Sequence, residues 1–162
     1  MASIIKVDTI QTAAGGTPTA ADLGLNVSGS LITTTQYKPS GVTVSASSYT
    51  DAITQAHTFS STASKFFAIL TSYSNTHDGS NYTYFTARLN WQPSSGTGVT
   101  SNTVRIGENQ SQSSDSYTAF TLSLSGDTES TTGNFRVQGF IGSDGGGTGG
   151  VSLPTLTIFE FA

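Results

Sequence analysis

The chain has 162 residues and no cysteine, which suits one domain of ordinary size and excludes disulfides, thiolate chemistry and a Cys-ligated zinc. Only 10% of the residues are charged, the net charge is −4, and the six cations (Lys6, Lys38, Lys65, Arg88, Arg105 and Arg136) stand singly along the sequence; a phosphate-binding face needs clustered cations, so nucleic acid is not expected as a partner. The N-terminus has one lysine and no long apolar stretch, and no apolar run approaches the ~18 residues of a membrane span, so neither a signal peptide nor membrane insertion is expected and synthesis is assigned to a cytoplasm.

The first elements are short. Residues 4–10 (IIKVDTI) alternate after the opening Ile pair, which predicts a strand. Ala13 to Thr17 (AAGGT) is a turn. Thr19 lies three residues before Asp22, a capping-box-like pair that opens a very short helix, and Gly24 ends it. Such a helix has about two turns, too few to stand without a partner. Asn26 to Ser30 reads as a linker. Residues 1–29 therefore form an arm without a core of its own. Fully extended, a segment of this size reaches roughly 90 Å, enough to cross onto a neighbouring subunit.

From residue 30 to 162 the chain reads as one all-β domain. Strands are predicted at 31–37, 41–46, 50–59, 65–73, 82–91, 103–108, 116–124, 134–141 and 151–161. Nine Phe and six Tyr supply the apolar area that separates this polar composition from disorder. Alternation is clear in three strands. Phe85, Ala87, Leu89 and Trp91 share one face; so do Phe120, Leu122 and Leu124; so do Phe135, Val137 and Ile141. One-sided burial of this kind fits antiparallel sheets. Strand 65–73 (KFFAILTSY) is apolar on both sides and is expected at the centre of a sheet. Turn clusters fill the gaps at His77–Asn81, Pro93–Gly98, Gly126–Gly133 and Gly142–Gly150. Short strands with such spacing predict a jelly-roll-like antiparallel β-sandwich.

The last strand carries Phe159 and Phe161 on one face and Leu156, Ile158 and Glu160 on the other. A chain end frays unless it is tied down, so Leu156, Ile158, Phe159 and Phe161 are expected at a subunit interface. Trimeric jelly rolls of the tumour-necrosis-factor-like type end in this way, which makes a homotrimer the expected assembly.

The segment KVDTIQ, the small turn after it and the segment TAADLG resemble the opening of virion structural proteins of marine tailed phages, cyanophage-like proteins in which an arm of this kind precedes a variable β domain. The resemblance covers about a fifth of the chain. It implies a virion protein made in the host cytoplasm, with a particle as its location. Ile4, Ile5, Val7, Ile10, Leu23 and Leu25 would anchor the arm on a tail, neck or capsid protein, in part by β-augmentation. The domain would then be a trimeric tail or neck fibre that reaches the host surface. The alternative is a capsid decoration protein that stabilises the shell, and a glycan-degrading enzyme is the remaining reading.

Chemistry has little to stand on in this sequence, and the protein is not expected to be an enzyme or to carry a cofactor. His57 and His77 are its two histidines, one in a predicted strand and one in a turn. A two-His, one-carboxylate metal site would need them together, and a calcium loop would need carboxylates or amides at spaced positions. The many serines include no G-x-S-x-G elbow. A glycosidase needs two enclosed carboxylates, for which Glu108, Glu129 and Glu160 are the candidate glutamates. GGGTGG at 145–150 lacks the G-K-[ST] ending of a phosphate loop and reads as a flexible tip. Tyr82 and Tyr84 share a face with Arg88 and are assigned to the trimer interface, with stacking on a cell-surface glycan as the alternative.

Overall fold

The computed structural model describes residues 29–45, 47–62, 64–77, 83–109, 116–143 and 148–162. Residues 1–28 of the arm lie outside them, and so do its six anchoring residues and Tyr82. The strands among the described residues are β1 (Leu31–Tyr37), β2 (Val42–Val44), β3 (Thr50–Thr58), β4 (Lys65–His77) and β5 (Thr83–Pro93), then β6 (Val99–Thr100), β7 (Val104–Asn109), β8 (Ser116–Asp127), β9 (Thr132–Ser143) and β10 (Thr148–Phe161). They form two antiparallel sheets. Sheet A runs β1-β10-β4-β8, with β2 beside β10; sheet B runs β3-β9-β5-β6, with β7 beside β5.

This order is that of a jelly roll. Early strands pair with late ones: β1 with β10, β3 with β9, β4 with β8 and β5 with β7. The chain is thus a long two-stranded ribbon, rolled so that β10 also meets β4 and β9 also meets β5. Rolling places alternate residues of both sheets against each other, which is how an antiparallel sandwich obtains a core without helices.

The three alternating faces read from the sequence all point inward. Trp91, Phe85, Ala87 and Leu89 are fully buried in β5, with Leu122 and Leu124 of β8 and Phe135 and Val137 of β9 packed around them. Aromatic rings dominate the centre: Phe66 lies 5.4 Å from Phe135 and 6.0 Å from Trp91, centroid to centroid. The Trp91 indole N–H donates to the Thr128 carbonyl at 3.1 Å, so the largest buried side chain leaves no polar atom unpaired. β4 is central, as its two apolar faces imply: Phe66, Ala68 and Leu70 point in, while Phe67 is 37% exposed on the outside.

Two expectations are corrected. β4 does not stop at 73 but continues to His77, so this histidine closes a strand and does not open a turn. The extra residues are polar, and the ladder to Thr148 and Ser116 carries them where side-chain alternation gives no sign. β6 is absent from the sequence reading because two residues, Val99 and Thr100, cannot show a period.

The domain has two distinct ends. Gly29 and Ser30 exchange backbone hydrogen bonds with Ala162, so the first and last described residues leave together. The row Leu31–Phe161–Lys65–Asp127 marks this basal end of sheet A. At the opposite end β4 finishes and β8 and β10 begin.

Candidate functional site

The sequence expected Leu156, Ile158, Phe159 and Phe161 at a subunit interface. Leu156 and Ile158 are 2% and 1% exposed inside the sandwich, so the core of the single chain already accounts for them. Phe159 and Phe161 take the opposite face of β10 and are half-buried on the outside of sheet A. Phe159 stacks on Phe67 with centroids 6.3 Å apart. Leu31, which pairs with Phe161, is 56% exposed. The outer basal face of sheet A therefore carries an apolar strip of Leu31, Phe67, Phe159 and Phe161 beside the exposed Lys65–Asp127 pair.

This strip is part of a wider asymmetry. Among the described residues, the exposed large hydrophobic side chains are Leu31 and Ile32 of β1, Val42 of β2, Phe67 and Tyr73 of β4, Tyr117 of β8 and Leu153 of β10. Every one belongs to sheet A. Single exposed apolar residues are ordinary, but here all of those among the described residues lie on one sheet.

The outer face of sheet B is built differently. Antiparallel register sets Arg105 opposite Thr86 and Arg136 opposite Asn90, on either side of Arg88. All three arginines thus meet on one face, although they are scattered in sequence. Asp51 accepts from Arg136 at 2.8 Å and from Gln138 at 2.7 Å, and Gln138 accepts from Arg88 at 2.9 Å. Arg88 lies 4.0 Å above the Tyr49 ring and Arg105 lies 3.7 Å above the ring of Tyr84. Phe140 contacts both tyrosines edge-on. Tyr84, expected at a trimer interface, is thus engaged by Arg105 and Phe140 of its own chain.

A buried polar group joins the two sheets. His57 of β3 is 6% exposed, and its Nδ1 lies 3.0 Å from the Tyr37 hydroxyl of β1. Its Nε2 has no hydrogen-bond partner among the described residues. Burial holds the His57 pKa below its usual value, against an opposing pull from Glu160. Burial also raises the Tyr37 pKa. Glu160 of β10 is 2% exposed and accepts from the Ser60 backbone N–H at 2.9 Å and from the Ser60 hydroxyl. A Ser-His-acid relay needs the serine bonded to the histidine; here Ser60 donates to the carboxyl and His57 faces a tyrosine.

Glu129 is equally occupied. It sits at φ +56°, and its carboxylate accepts from the N–H groups of Thr97 at 2.7 Å and Gly98 at 3.2 Å, which pins the 93–98 loop. Glu108 pairs with Tyr84 in the β5–β7 ladder. Among the described residues no three His, Asp or Glu side chains converge as metal ligands. Among the described residues no helix is long and apolar enough to cross a membrane.

Sequence reasoning missed the outward residues around the β10 bulge, Tyr73 and Leu153 above all. The local sign was Pro154, since proline inside a strand marks an edge or a bulge. Compared with protein-family models, with curated proteins and with solved structures, the chain finds no match.

Proposed function

We propose that the chain is a structural subunit of a tailed-phage particle: a trimeric jelly-roll appendage, held to the particle by residues 1–29, whose far end contacts the host surface. The polarity of sheet A carries this reading. The first and last described residues leave at one end, beside the apolar strip of Leu31, Phe67, Phe159 and Phe161. An arm that starts there would put the anchor at the base. Three chains meeting on the strip would remove it from water and bring three arms together, so a weak contact per arm would suffice through avidity. The resemblance of KVDTIQ and TAADLG to virion arms supports the same assignment.

Two measurements test it. Light scattering on the purified protein at micromolar concentration should give three times the chain mass; a monomer would end the trimer reading. Antibody-gold labelling of purified particles should place the chain on the tail or neck. Gold over the whole shell would make it a capsid decoration protein instead, and particles without gold would remove the virion reading.

A further inference from the structure

A groove of about 450 Å³ lies on the outer face of sheet A, away from the basal strip. This volume falls within the ~300–1,000 Å³ of small-ligand sites. Three features of the sequence make it. Thr155, Thr71 and Thr121 stand opposite one another on β10, β4 and β8 and form a row of hydroxyls across the floor. In the next row Ala119 faces Tyr73, and the small side chain beside the large ring leaves a hollow. Between Ser152 and Thr155 the register of β10 slips against β4, and Leu153, inside this bulge, lines the groove.

The bulge is held in an unusual state. Leu153 has φ +48° and is 80% exposed, a conformation and an exposure that leucine rarely adopts. The buried Ser72 hydroxyl donates to the Ser152 carbonyl at 2.7 Å and fixes the bulge from below. Backbone held this way collects at ligand contacts. Tyr73, which pairs with Ser152 and is 48% exposed, offers a ring face and a hydroxyl to the same groove. Among the described residues that line the groove there is no Asp, Glu, Lys, Arg or His. A row of threonine hydroxyls beside an aromatic ring and an exposed aliphatic side chain, without charge among the described lining residues, suits a ligand that is neutral, rich in hydroxyl groups and apolar on one face.

We propose that this groove binds a neutral glycan. Tyr73 stacks on the apolar face of a pyranose ring, and the hydroxyls of Thr71, Thr121 and Thr155 bond its hydroxyl groups. The site is separate from the basal strip: Phe67 and Tyr73 are six residues apart on one strand, roughly 20 Å, so a trimer formed at the base leaves the groove open. The biological meaning of the contact rests on the surface-contacting role proposed above, but the binding itself is measured on the free protein and fails or succeeds independently of where gold labels a particle.

The test is an amide-resolved NMR titration of the full-length protein with maltotetraose, cellotetraose, mannotetraose and chitotetraose, and with tetragalacturonate as the anionic counterpart. At least one neutral sugar should shift the amides of Thr71, Tyr73, Ala119, Thr121 and Leu153, with a dissociation constant on the order of 1 mM, as an open groove implies. Tyr73→Ala should weaken that binding about tenfold, Thr121→Val severalfold, and Tyr73→Phe little, because the ring is kept. Gln92→Ala, on the other sheet, should change nothing. The proposal is overturned if no neutral sugar shifts these amides, if Tyr73→Ala and Thr121→Val leave binding intact, or if tetragalacturonate binds better than every neutral sugar. It is also overturned if the same amides move on simple dilution without sugar, which would give the groove to a second copy of the chain.

Discussion

On the outer face of sheet B, charged and aromatic groups are matched within the chain: Asp51 holds Arg136, Gln138 holds Arg88, and two guanidinium groups lie on tyrosine rings. On the outer face of sheet A, Phe67, Tyr73 and Leu153 face solvent, and Phe159 is covered in part by Phe67. Both faces belong to one fold and share one core, so folding alone does not dictate the difference. A face most of whose polar groups already have partners, the buried Arg136 Nε excepted among the described residues, offers little to a second molecule. A face of exposed rings costs solvation in the free chain and regains it on contact. Sheet B closes the structure, and sheet A is where contact is expected.

The largest test of this contrast uses two neighbours in sequence. Phe66 and Phe67 are adjacent in β4 and point to opposite sides. Phe66 is 2% exposed and packs on Phe59, Phe135 and Trp91, so Phe66→Ala should cost ~3–5 kcal/mol of unfolding free energy. Phe67→Ala should cost the isolated chain less than ~1 kcal/mol and instead weaken self-association. Urea unfolding of both variants, with light scattering alongside, gives both readings. A cost near that of Phe66→Ala at Phe67 would mean that the strip serves the fold and not a contact.

Those two phenylalanines also show how far the sequence could be read. The faces of β5, β8 and β9 were legible because a strand repeats every two residues, and a run such as Phe85, Ala87, Leu89 and Trp91 is a strictly local pattern. The jelly-roll class followed from the spacing of the runs. The last strand was legible only in half. Alternation separated Phe159 and Phe161 from Leu156 and Ile158, but it could not say which face of β10 would meet the core. That depended on β4 and β8, far away in sequence. The same holds for the arginines, which come together through the registers of β5, β7 and β9. Tyr73 read as one more apolar residue of a central strand, because the hollow beside it comes from Ala119 on another strand and from a bulge on a third.

A smaller contrast lies in the ion pairs. Asp51 and Arg136 are 2.8 Å apart with side chains 34% and 28% exposed, whereas Lys65 and Asp127, on sheet A, are 3.9 Å apart and 73% and 72% exposed. Asp51→Ala takes the acceptor from Arg136 and Gln138 and should cost ~1–2 kcal/mol, a value already reduced for screening at a third exposure. Lys65→Ala should stay within ~0.5 kcal/mol. Added salt should shrink the first cost only in part, since a half-buried pair is screened less. Equal costs at the two sites would remove the distinction between a knitted face and an open one.

The gentlest effect is expected where the two sheets meet. His57 is buried between Tyr37, Phe59, Phe135 and the Glu160 carboxyl, and burial keeps its pKa below the ordinary value near 6.5 despite Glu160. As pH falls below that value, the unfolded chain takes up a proton more readily than the folded one. The stability His57 contributes is therefore complete above the ordinary histidine pKa and is lost as pH falls toward the folded pKa. Tyr37, whose pKa is raised, acts at the other extreme: its share is complete below about pH 10 and is lost above it. Urea midpoints measured between about pH 7.5 and pH 5.5 should decline in the parent protein and decline less in His57→Leu, because the carboxylates common to both cancel in the difference. Parallel slopes would mean that His57 takes up its proton as easily folded as unfolded, and the contact between the sheets would then tolerate a charge that its geometry leaves without a partner for Nε2.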